Sequence, residues 1–87
     1  MQNAEMSKME KEKVLDELKV GILMLQSGKI MDAIKVFQRI LMNDPENIDV
    51  RYWLAGAYIE ADMFDEARIQ LEEILKKKPD EVDAMNI

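Results

Sequence analysis

Residues Tyr52 to Pro79 read YWLAGAYIEADMFDEARIQLEEILKKKP, and the spacing of their apolar positions decides the fold. Leu54, Ala55, Tyr58 and Ile59 fall on one helical stripe, and Ala67, Leu71, Ile74 and Leu75 on a second. Ala61-Asp62-Met63 interrupts both, so the stretch is read as two antiparallel helices joined by a tight turn, with Pro79 as the stop. The same pattern stands upstream: Pro45 precedes Pro79, Ala33 precedes Ala67 and Leu41 precedes Leu75, each by 34 residues. A fixed period in the thirties is the mark of stacked helical hairpins, in which each unit buries its apolar face on the next.

The chain has 87 residues, enough for one small domain near the lower limit of what burial alone can hold together. A hydrophobic content of 48% against 34% charged is that of a folded chain. With a net charge of −6 and Lys76-Lys77-Lys78 as its one basic run, the chain is not expected to bind nucleic acid, because an acidic surface repels a phosphate backbone. The three lysines are explained as complement to the negative end of a helix dipole. There is no cysteine and no histidine, which removes thiolate nucleophiles, imidazole bases and the usual zinc ligands. Asp62, Asp65 and Glu66 lack the alternating oxygen ligands and turn glycine of a calcium loop. They are read as acidic residues at a helix start, and no metal or cofactor is expected. No nucleophile with a base and no glycine-rich phosphate loop can be assembled, so the expectation is a protein that is not an enzyme. The N-terminus is polar and acidic, and no apolar run is long enough to cross a bilayer. A cytoplasmic protein with no direct membrane insertion is expected, although a chain cut free of a signal or anchor would read the same.

Taken in order, Ser7 and Glu10 fit a capping box, which starts the first helix near Ser7 or Lys8 and runs it to Gln26. Lys8 with Glu12, and Lys13 with Glu17, are spaced as ion pairs on a solvated extension. From Val20 to Leu25 this helix is apolar nearly all round, the pattern of a helix that something must cover. Gly28 suits the left-handed residue after a helix end. The second helix is placed from Ile30 or Met31 to Met42, and the third from Ile48 to Ala61 with Asn47 as its cap. The fourth runs from Phe64 or Asp65 to Lys76–Lys78, supported by Glu72 with Lys76 and Glu73 with Lys77. Asp80 opens a short further helical stub through Val82 and Met85. Met24 and Met42 are expected to fill core gaps, and Met9, Met31, Met63 and Met85 to be contact residues.

These residues resemble the tetratricopeptide repeat family. The resemblance divides a single 1–87 domain into an extension at 1–13, repeats at 14–47 and 48–81, and the start of a cap or third unit at 82–87. The family's packing sites fall on Val20, Gly21, Met24, Gly28, Ala33, Phe37, Leu41 and Pro45 in the first unit. In the second they fall on Leu54, Ala55, Tyr58, Asp62, Ala67, Leu71, Leu75 and Pro79. Close helix approach is the physical demand behind the pattern, with Gly21 or Ala55 set against Ala33 or Ala67. Glu17 and Arg51 stand where the family usually has a large apolar residue, and Ile40 and Ile74 where it has alanine. The resemblance implies an all-α fold of two stacked antiparallel helix hairpins in a right-handed solenoid.

It also implies that partners bind in a concave groove lined by the first helix of each unit. By position the groove presents Leu15, Leu18, Ile22, Leu25 and Gln26, then Asp49, Tyr52, Gly56, Ile59 and Glu60, with Trp53 on the rim. The lysines, arginines and asparagines with which chaperone-tail binders of the family grip a carboxylate are missing. An apolar floor with an acidic margin suits an apolar or amphipathic protein or peptide segment. Cover from the terminal segments or from a second copy of the chain suits it equally. The expected function is therefore a protein-interaction scaffold that self-associates, most simply as a symmetric homodimer. The alternatives are a small secretion-type chaperone that shields an exported protein, or a piece of a longer repeat array.

Overall fold

The computed structural model describes residues 8–77, and the expectations that involve Ser7, Lys78, Pro79 and the stub beyond Asp80 lie outside them. Four helices follow one another: α1 (Lys8–Gln26), α2 (Ile30–Asn43), α3 (Ile48–Glu60) and α4 (Phe64–Lys77). α1 packs on α2, α2 on α3 and α3 on α4; α1 also touches α3, whereas α2 and α4 do not meet. The helices thus form two layers, α1 with α3 and α2 with α4, and the stack closes on the α1–α3 side.

The turns show why the chain repeats. At the end of α1 the Lys29 amide donates to the Met24 carbonyl at 2.8 Å and the Gly28 amide to Leu25 at 3.1 Å. After α3 the Met63 amide donates to Tyr58 at 2.8 Å and the Asp62 amide to Ile59 at 3.0 Å. Both are the paired bonds that satisfy the last carbonyls of a helix around one left-handed residue. That residue is Gly28 at φ 86° in the first turn and Asp62 at φ 61° in the second. Between the hairpins, Asn47 Oδ1 accepts from the Val50 amide at 3.1 Å and caps α3, while Asn47 Nδ2 donates to Asp44 Oδ2 at 3.0 Å.

The core is centred on Phe37, which is fully enclosed together with Ala33, Ile34, Ile40, Val50, Leu54 and Ala57. The Phe37 ring stands close against the backbone of α1: a Cβ built on Gly21 would stand 2.5 Å from Cε1 and 3.0 Å from Cδ1. The nearest neighbour of Gly21 is therefore this ring, which the sequence reading did not name there. In the second hairpin the corresponding residues are Ala55 and Leu71, so a residue with a Cβ faces a narrower side chain. Leu71 and Leu75, expected to pack as Phe37 and Leu41 do, remain 39% and 43% exposed, because no described helix lies beyond α4.

Two methionines depart from expectation. Met42 is 82% exposed instead of filling the core, since it points away from both α1 and α3, whereas Met63 packs against the core. The polar ties between the hairpins also differ from the local pairs read in the sequence. Lys76 approaches Glu73 at 3.4 Å, and Lys77 reaches across to Glu46 at 2.7 Å in place of Glu73. The Lys77 hydrogen bond and charge hold the Glu46 carboxyl below its ordinary pKa. This tie is present above the usual carboxylate range and is lost as pH falls through the lowered value. Arg51 Nη1 donates to Gln70 Oε1 at 2.8 Å and Nη2 to the Pro45 carbonyl at 3.0 Å, so a departure from the apolar pattern fastens the turn to α4. Gln38 Nε2 donates to Tyr58 Oη at 2.8 Å between α2 and α3.

Replacing Gly21 by alanine forces the enclosed ring to move, and the overpacking should cost about 1–2 kcal/mol after the gain in helix propensity. Phe37→Leu in the same chain recreates the Ala55–Leu71 pair, and the double variant should be more stable than the two single losses summed predict. Urea unfolding of the four chains measures the coupling, and additive losses would contradict the contact. At the turns, Gly28→Ala should cost about 1 kcal/mol, whereas Asp62→Gly should be neutral or stabilise by about 0.5 kcal/mol, because only glycine takes a left-handed φ without penalty. Thermal midpoints moving in those opposite directions are the check.

Candidate functional site

α1 and α3 carry the residues of the expected groove, and the structure places them unequally. Leu15 is 55% exposed and Ile59 46% exposed, with Leu18, Ile22 and Tyr52 half-buried. Gln26, Asp49 and Glu60 are exposed. Leu25 is buried within the core, so it supports this surface from behind and does not present itself to a partner. Leu18 and Ile22 pack partly on the core and partly face outward. Gly56 stands 34 residues after Ile22, and a Cβ there would meet nothing within 4 Å, so the α3 part of the surface is shallower than the α1 part. Trp53, expected on the rim, is 37% exposed.

The apolar excess of α1 divides into two faces. Leu15, Leu18 and Ile22 form the groove side, and Val20 and Leu23 a separate, exposed side directed away from α2 and α3. Lys19, Gln26 and Glu12 run between them, all exposed, as a polar seam. A single covering surface therefore cannot take the whole excess.

The structure also assembles clefts that no local pattern in the sequence announces. One of about 520 Å³ is lined by Glu10, Lys13, Val14, Glu17, Arg39 and Asn43. A second of about 260 Å³, lined by Lys11, Val14, Leu15, Asp44 and Asn47, opens beside the lower end of the groove. Both form because the antiparallel course of α1 and α2 brings residues some thirty apart in the chain to one level. The larger balances two carboxylates with two cations and holds no nucleophile. Asp65 and Glu66 lie in the first turn of α4, where carboxylates meet the positive end of the helix dipole, and Asp65 approaches Arg68 at 3.6 Å. Among the described residues no three acidic side chains are grouped to hold a metal ion, and no helix is long and apolar enough to cross a membrane. What the α1–α3 surface can do chemically is bury apolar side chains beside exposed carboxylates.

Neither a comparison with characterised proteins nor one with solved structures gave a significant match. A family model described as tetratricopeptide repeat matches residues 24–85, from the last three residues of α1 through α2, α3 and α4. With two helical hairpins closed by the same turn and that match over most of its length, the chain belongs to the tetratricopeptide repeat family, a fold of protein–protein interaction modules.

Proposed function

We propose that this chain is a non-enzymatic binding module whose α1–α3 surface receives an apolar or amphipathic segment of a protein partner. The observation that carries the reading is the open apolar floor, with Leu15 and Ile59 exposed at its ends and Leu18, Ile22 and Tyr52 half-buried between them. Burying such side chains is worth about 1.5–3 kcal/mol each against leaving them in water, which suits association driven by a few anchors. Asp49 and Glu60 on the margin disfavour acidic segments and favour a partner with basic residues flanking its apolar ones. No cofactor enters this mechanism.

Self-association is the second reading, supported by the exposure of Val20 and Leu23 on the other side of α1. In it, two copies pair symmetrically along α1, and the groove stays available for a different protein.

Leu15→Glu with Ile59→Glu tests the first reading without touching enclosed residues. Proteins captured from native lysate by the wild type should fall about tenfold or more in yield on the double variant, the change expected from losing roughly 1.4 kcal/mol or more of binding energy. Undiminished capture by a variant of unchanged helix content would remove the groove from consideration. For the second reading, light scattering on dilution should show the mass of two chains falling to that of one. A fully helical monomer throughout the micromolar range would dispose of it.

A further inference from the structure

Glycine is a poor helix former, so each of the three in this chain calls for a physical reason. Gly28 has one in its left-handed φ of 86°, and Gly21 has one in the Phe37 ring, which a Cβ would strike. Gly56 has neither. It lies in the interior of α3, its φ is not positive, and a Cβ there would meet nothing among the described residues within 4 Å. The fold of residues 8–77 therefore gains nothing from the missing side chain and loses helix propensity by it. Glycine also serves where another molecule must come closer to a backbone than a side chain allows. Gly56 stands where such an approach can be made: half-buried, it shares one face of α3 with Tyr52 before it and Ile59 and Glu60 after it, and the repeat sets it level with Ile22 of α1.

We infer that Gly56 is the seat of an aromatic side chain of the protein partner, set against the α3 backbone as the Phe37 ring is set against α1. The molecule supplies the template. Where α1 lacks a Cβ, at Gly21, the neighbour is a ring; where α3 has one, at Ala55, the position corresponding to Phe37 holds Leu71. The reason is shape, since removing a Cβ bares a shallow strip of helix backbone that a flat ring covers at close range and a branched side chain bridges with a gap. Close packing does not tolerate such gaps. Tyr52, one turn away, adds an aromatic neighbour, and Ile22 and Ile59 add apolar ones. Glu60, one turn beyond on the other side, is exposed and favours a lysine or arginine next to the ring. Residues 1–7 and 78–87 contain no aromatic side chain, so they do not bring the ring. This inference rests on the binding role proposed for the α1–α3 surface and names the kind of anchor that role leaves open.

The test is selection of random phage-displayed peptides by the full chain, followed by titration of the enriched peptides in synthetic form. They should share one phenylalanine, tyrosine or tryptophan, and replacing that residue by alanine should weaken binding by about thirtyfold. Gly56→Ala puts a methyl group into the seat and should weaken the same peptides by about tenfold. Its thermal midpoint should meanwhile rise by about 4 °C, because alanine is the better helix residue and meets no described neighbour. Enriched peptides without an aromatic residue would overturn the inference, as would undiminished binding to Gly56→Ala. A midpoint that falls would do the same by revealing a neighbour within the chain, and so would self-association lost on Gly56→Ala, which would give the seat to a second copy. The Leu15→Glu, Ile59→Glu double variant separates the two readings. Peptides lost on it but kept by Gly56→Ala leave the groove standing and remove the ring seat alone; peptides it still binds, or no enrichment at all, remove both.

Discussion

The contact between the Phe37 ring and the Gly21 backbone sets the geometry on which the rest of this structure depends. A helix can approach another closely enough to set an aromatic ring against its backbone only where a side chain is missing, and the 2.5 Å that separates the ring from a hypothetical Cβ shows how fully that space is used. Burying the ring contributes about 2–3 kcal/mol, a large share for a domain of this size. Because Phe37 also lies beside the α2–α3 junction, it holds three helices at once. In the second hairpin the corresponding positions hold Ala55 and Leu71, a residue with a Cβ and a narrower side chain.

The same comparison explains what was legible in the sequence and what was not. Local rules act within a turn or two of helix, and there the reading and the structure agree. Gly28 takes left-handed backbone, Asn47 caps α3, and the helix bounds fall within a residue or so of those expected, while Asp62, read only as part of a turn, is left-handed as well. The differences lie where a side chain can choose between a neighbour on its own helix and one on another. Lys77 has Glu73 one turn away yet reaches Glu46, and Arg51 spans from the Pro45 carbonyl to Gln70. Position within a family gives the face a residue usually occupies but not what lies opposite it here. Carried over by position, Leu25 was expected to face the groove and is buried with the core, and Met42, expected to fill a core gap, is 82% exposed.

Of the candidate site, the apolar character was legible and its division was not. A helix apolar on nearly all sides was expected to need cover, and the structure resolves this into two exposures separated by Glu12, Lys19 and Gln26. The groove side is half-sheltered by its own packing, so its residues are held in place before anything binds. Preorganised anchors lose little side-chain entropy on association, which raises the return on a modest area. Gly56 lowers the α3 wall where Ile22 raises the α1 wall, and a segment seated there would lean toward α3.

Two hairpins are few for a stacked fold, and the polar ties show how the second is held to the first. A purely apolar junction between α2 and α3 would allow the hairpins to slide or rotate, because dispersion contacts carry no direction. The bonds from Gln38 to Tyr58, from Arg51 to Pro45 and from Lys77 to Glu46 are directional; the first joins α2 to α3, and the other two tie the turn between the units to α3 and α4. They fix register more than they add stability, since bonds that remain partly in water are worth little net energy.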